Sequence, residues 1–118
     1  MPTTAPSLEG RVFADVTEDH AGDVGGDTRF EYHEDADGVV WARYTGGSVR
    51  LGHLVGMRNG DRLDFRYSHV TIDGTTANGH CQSDIVVTDD GLIEFHESWR
   101  WESQPGRGTS VVREVTRP

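Results

Sequence analysis

The run Leu92–Glu102 places Ile93, Phe95, Glu97, Trp99 and Trp101 at alternate positions, with Glu94, His96, Ser98 and Arg100 between them. In an extended chain alternate side chains share a face, so Glu97 falls on an apolar surface between an aromatic ring and an indole. A carboxylate is almost never fully buried without a partner. Desolvation by those rings raises its pKa and suits it to general acid–base work. The same position equally fits a carboxylate that orients a ligand, or a structural one bonded to a Tyr, Ser or Arg across the interior.

Two histidines belong to the same question. Taking Leu63, Phe65, Tyr67 and His69 as the inward set of Arg62–Ile72, and Val49, Leu51, His53, Val55 and Met57 as that of Ser48–Met57, His53 and His69 face one interior with Tyr67 between them. Their rung lies roughly 7–14 Å from Glu97 along the strands, a span for a small substrate and not for a hydrogen bond. Glu97 then acts as base, with Tyr67 or His69 as acid. Either histidine also fits the bland role of a satisfied core residue. His53, His69 and Glu97 read as metal ligands lack any compact spacing, so no metal and no other cofactor is expected. Cys81 has no evident base beside it and reads as a small hydrophobe. Asp35-Ala36-Asp37-Gly38 imitates part of a calcium loop but has no glutamate at the required offset, so it reads as a turn.

The elements that must hold these groups are strands. Glycines punctuate the chain into segments of alternating polarity rich in Val, Ile, Thr, Tyr, Phe and Trp. Eight are predicted: Gly10–Val16, Thr28–His33, Val39–Thr45, Ser48–Met57, Arg62–Ile72, Thr75–Thr88, Leu92–Glu102 and Thr109–Val115. Asp37-Gly38, Gly46-Gly47, Asn59-Gly60, Asp73-Gly74 and Asp89-Asp90-Gly91 supply turns between them. No stretch has a helical period. The expected fold is all-β, an antiparallel eight-stranded meander closing into a small barrel of the lipocalin or avidin sort, because closure removes exposed edges. An open two-sheet sandwich is the alternative.

Facing follows from turn length. An odd loop at Asp89-Asp90-Gly91 sets Ser83 opposite Glu97, Cys81 opposite Trp99 and Gly79 opposite Trp101. A two-residue turn at Gly46-Gly47 puts Val40, Ala42 and Tyr44 inside and leaves Trp41 and Arg43 outside. An odd loop at Asn59-Gly60 is needed for His53 to point inward. The expected inward polar groups are Tyr32, Tyr44, His53, Tyr67, His69, Cys81, Ser83 and Glu97.

With 118 residues there is room for one core, expected over residues 10–118 behind a flexible lead-in at 1–9. The acidic stretch Asp15–Asp27, with His20, reads as a solvated loop at a barrel mouth, long enough to act as a lid. No apolar run approaches the ~18 residues of a membrane span. The net charge of −9 opposes binding to nucleic acid or anionic membranes. All basic residues are Arg, which reads as a codon bias. A single cysteine and no secretory leader point to the cytoplasm.

The segments Trp41–Gly47, Gly52–Gly56, Phe65–Tyr67, Gly79–Ser83, His96–Trp101 and Gly108–Ser110, in this order, resemble a family of small bacterial proteins often labelled N-acetylglutamate synthase. The resemblance runs from about Phe30 to Val115, matching at Tyr44, Gly52, Tyr67, Cys81, Ser83, Glu97, Trp99 and Trp101 and less closely at His69. Acetyl transfer from acetyl-CoA calls for a helix N-terminus after a glycine-rich loop, and no segment here supplies one.

The functional expectation is therefore a small-molecule-binding barrel. Its pocket is lined by Tyr44, Phe65, Tyr67, Trp99 and Trp101, walled by Cys81 and Ser83, and oriented by Glu97 and His53. A cofactor-independent isomerase, cyclase or dehydratase is its enzymatic version. The competing class is a non-catalytic interaction module, homodimeric through exposed Trp41.

Overall fold

The computed structural model describes residues 5–17 and 24–115. It contains eight strands: β1 (Val12–Asp15), β2 (Arg29–Glu34), β3 (Val39–Gly46), β4 (Val49–Asn59), β5 (Arg62–Thr71), β6 (Thr76–Val87), β7 (Ile93–Trp101) and β8 (Arg107–Glu114). Each pairs antiparallel with its neighbours, and β1 pairs with β8 to close the barrel in sequence order. All eight predicted segments are strands, and no sheet edge is left free. No described helix is long and apolar enough to cross a membrane.

The register expected between β6 and β7 holds. Ser83 faces Glu97, Cys81 faces Trp99 and Gly79 faces Trp101, because an odd number of residues separates paired Val87 and Ile93. Tyr32, Val40, Ala42 and Tyr44 are buried, whereas Trp41 and Arg43 are exposed. The turn after β2 is built by the Asp35 carboxylate, which accepts the Asp37 and Val39 amides at 2.9 and 3.0 Å. It is a hairpin.

One expected face is reversed. Asn59 pairs with Arg62, so the β4–β5 turn holds two residues, Gly60 and Asp61, and parity carries straight across it. The positive φ of 63° that Gly60 adopts fits this tight turn. Leu51, His53, Val55 and Met57 therefore point outward, opposite outward residues of β5, and Gly52 and Leu54 take the inside. Val49 stays buried only because a bulge between Val49 and Leu51 switches the alternation. A second irregularity between Tyr44 and Gly46 restores agreement with β3.

One end of the barrel is plugged. Ala5 and Leu8, in the segment expected to be a flexible lead-in, are 7% and 0% exposed and join the core with Phe13, Tyr32, Leu63, Ile93, Phe95 and Val112. Arg58 clamps this segment. Its guanidinium donates to the carbonyls of Ala5 and Pro6 at 2.5 and 2.9 Å and to Glu34 at 3.0 Å. The Leu8 amide donates to the same Glu34 oxygen at 2.9 Å. This is the closed end.

Candidate functional site

The opposite half of the interior is lined differently. Along the inward face of β7, Ile93 and Phe95 are 0% exposed, whereas Glu97, Trp99 and Trp101 beyond them are partly accessible. Inward Tyr67 and Ser110 are partly accessible too. Backbone exposure does not account for this, since Cys81 and Ser83, facing the same way on β6, are 2% and 1% exposed. The partly accessible residues all lie toward the end that carries the β3–β4, β5–β6 and β7–β8 turns.

Glycines set the shape of that half. A side-chain carbon on Gly79 would overlap the Tyr67 ring, and one on Gly52 the Tyr44 ring; on Gly108 it would stand 2.7 Å from the Trp99 indole. Each ring therefore lies sideways over the adjacent strand instead of crossing the lumen. Tyr67 meets Trp101 at 5.7 Å between centroids and 61°, and Trp101 meets Trp99 at 5.7 Å and 63°. The three rings form a tilted aromatic corner. The Tyr67 hydroxyl donates to the Arg100 carbonyl at 3.4 Å.

Glu97 sits deeper, across from Ser83 on one side and Ser110 on the other. The Ser110 hydroxyl donates to its Oε1 at 2.9 Å, and the Ser83 hydroxyl lies close enough to favour its charged form. Burial pushes its pKa up to about 7, against the pull of the serine hydroxyls; the nearby Asp15 carboxylate raises it further. Burial, with the charge of Glu97, also raises the Tyr67 phenol and the Cys81 thiol above their ordinary values. Cys81 contacts Ser83 at 3.5 Å and is no nucleophile in this state.

His69 lies on the wall nearer the open end, 3% exposed, its Nδ1 hydrogen-bonded with the Tyr44 hydroxyl at 2.9 Å and its ring 5.6 Å from Trp101. It is far from Glu97 along the ladder, since Tyr67 and Trp101 share a rung that His69 does not reach. Phe65 is buried, packed 6.3 Å from Tyr67. His53 does not join the set: it stands on the outer surface, lining with Arg66, Ser68, Asn78 and Glu102 a groove of about 450 Å³ that Tyr67 and Gly79 also border. Among the described residues no three His, Cys, Asp or Glu side chains are placed to hold a metal ion.

Two contributors escaped the sequence reading. Ser110 is visible only once β7 is paired with β8, although the alternation Gly108, Ser110, Val112 marks its face. Asp15, assigned to a solvated loop, is 7% exposed, at the end of β1 opposite Val112, and its Oδ1 accepts the Thr17 amide at 2.7 Å. Residues 18–23 of that stretch, with His20, lie outside the described residues; Val24 packs on the core.

A family model described as avidin-like protein matches residues 6–115. The chain belongs to the avidin-like family. The eight-stranded closed meander agrees with the match, and an avidin-like barrel fits small-molecule binding. The synthase label gains no support from it. Neither the curated proteins nor the solved structures yield a match.

Proposed function

We propose that the open half of the avidin-like barrel binds one small organic molecule. Tyr67, Trp99 and Trp101 would form its walls, Tyr44 and His69 the side nearer the mouth, and Phe65, Cys81 and Ser83 the packed lining behind them. Glu97 orients the ligand, with Ser110 holding the carboxylate. The observation that carries this reading is the partial accessibility of Glu97 and two indoles on an inward face whose other residues are sealed. Such a mixture of apolar walls and a few convergent polar groups is what small-molecule sites require.

The test uses Trp41→Phe protein, in which Trp99 and Trp101 are the remaining tryptophans. A panel of small polar molecules that includes biotin is titrated against tryptophan emission and thermal stability. The reading expects a binder whose affinity falls when Glu97 becomes Gln. If nothing in a broad panel shifts either signal, and Glu97→Gln alters stability alone, the barrel is a scaffold and the reading fails.

One observation favours a catalytic version. A carboxyl brought to about 7 can exchange a proton near neutrality. That version predicts wash-in of solvent deuterium at a bound ligand's acidic carbon, lost in Glu97→Gln. Exposed Trp41, Val55 and Met57 lie together on the outer faces of β3 and β4 and support a homodimer interface. Light scattering of Trp41→Arg tests it. The lone cysteine supports a reducing, cytoplasmic setting.

A further inference from the structure

We infer that the molecule held in this avidin-like lumen is a small organic cation, an ammonium seated in the corner of Tyr67, Trp99 and Trp101 with Glu97 as its counter-charge. The inference rests on the proposed binding site and adds the chemical class of its ligand.

Charge distribution is the first support. Arg58 is the one described strand arginine at an inward position, at the closed end, and no arginine is among the charges that shift Glu97. Of the others, eight are exposed and Arg11 pairs with Glu114 at 2.8 Å, while Arg58 itself is bound beneath the plug. The ionisable groups around Glu97 are Asp15 on β1, Tyr32 on β2, Tyr67 on β5 and Cys81 on β6, with Tyr44 on β3 and its hydrogen-bond partner His69 farther toward the mouth. No lysine exists in the chain. An anionic ligand would enter beside two carboxylates with no fixed cation to meet it, whereas a cation finds opposite charge in a poorly hydrated space. The overall charge of −9 draws cations toward the protein and repels anions.

Ring geometry is the second. Tyr67, Trp101 and Trp99 pack edge to face, at 61° and 63° with centroids 5.7 Å apart, so three aromatic rings stand together on the inward side of β5 and β7, the ring type whose quadrupole stabilises a quaternary or protonated amine. The absence of side chains at Gly79 and Gly108 lets the Tyr67 and Trp99 rings lie over the neighbouring strands.

Choline, which carries a permanent charge, is the probe, with 3,3-dimethylbutan-1-ol as its neutral isostere and 3,3-dimethylbutyrate as the anion. Affinities are read by tryptophan emission in the Trp41→Phe protein and by calorimetry. Choline should bind at least about tenfold tighter than the alcohol, and the anion more weakly than either. Because only the protein titrates, choline affinity should rise about tenfold from pH 6 to pH 8 as Glu97 ionises. In Glu97→Gln the rise should vanish; the wild-type pH profile is informative even if that variant folds poorly. Equal affinity for alcohol and choline, tighter binding of the anion, or a flat wild-type profile overturns the cation assignment while leaving a lumenal site in place. If none of the three probes binds, the cation assignment is likewise refuted, and only the broader ligand panel bears on the site itself.

Discussion

Replacing Glu97 with Gln should stabilise the barrel in alkaline solution, an unusual result for removal of a hydrogen-bonded charge. The carboxyl moves from 4.5 to about 7 on folding, chiefly through burial. A raised folded pKa means that the folded state binds the proton more tightly. The resulting stability is fully present below the unfolded pKa of about 4.5 and is lost as pH climbs through about 7. At 1.36 kcal/mol per unit the swing is about 3 kcal/mol. Glutamine stays neutral and retains an oxygen for Ser110, so the two proteins should be similar near pH 4 and diverge toward pH 8. Carboxylates with lowered pKa, such as Asp64 beside His80 and Glu94 beside His96 and Arg113, titrate alike in both and cancel in the comparison. Urea denaturation followed by tryptophan emission should place the variant's midpoint roughly 1–2 M higher at pH 8. A variant less stable at pH 8, or a gap that does not change with pH, would refute the reasoning.

Further outcomes follow from other parts of the barrel. Gly79→Val should force Tyr67 off the β6 backbone into the lumen, costing about 1–3 kcal/mol by overpacking, read as a lower denaturation midpoint with altered near-ultraviolet circular dichroism. Arg58→Ala leaves Glu34 without its guanidinium beneath the plug, and should cost about 3 kcal/mol and speed hydrogen exchange at the Leu8 amide. His53→Ala, on the outer face, should leave ligand affinity in the lumen unchanged; a loss measured by calorimetry would return this histidine to the site.

The sequence revealed the parts of this molecule that depend on local alternation and missed those that depend on counting residues through a turn. The inward faces of β5 and β7 were legible because Leu63–His69 and Ile93–Trp101 alternate without interruption. The β6–β7 pairing followed from an odd turn flanked by unambiguous strands. β4 was misread because Val49, Leu51, Val55 and Met57 make one face apolar while the other offers only Leu54 between glycines, so composition pointed to the side that faces out. The length of the turn that Asn59-Gly60 marks, two residues and not an odd number, and an unmarked bulge after Val49 made the choice. The plug formed by Ala5 and Leu8 was hidden for another reason: its anchor is Arg58, 53 positions from Ala5, and nothing local in a Pro- and Ser-bearing segment announces a partner so distant. Ser110 reaches Glu97 through the β7–β8 pairing and Asp15 comes near it through closure of β1 on β8, neither of which a single segment encodes.

The central claim is that Glu97 faces a poorly hydrated lumen that a small cation can enter. Carbon-13 NMR of the side-chain carboxyl, assigned by its loss in Glu97→Gln, measures this directly. The expected titration has its midpoint near 7 in the free protein and moves down by on the order of one unit when choline saturates the site. A midpoint near 4.5, unmoved by choline, would mean a carboxylate in ordinary contact with water and would contradict both the site and its ligand.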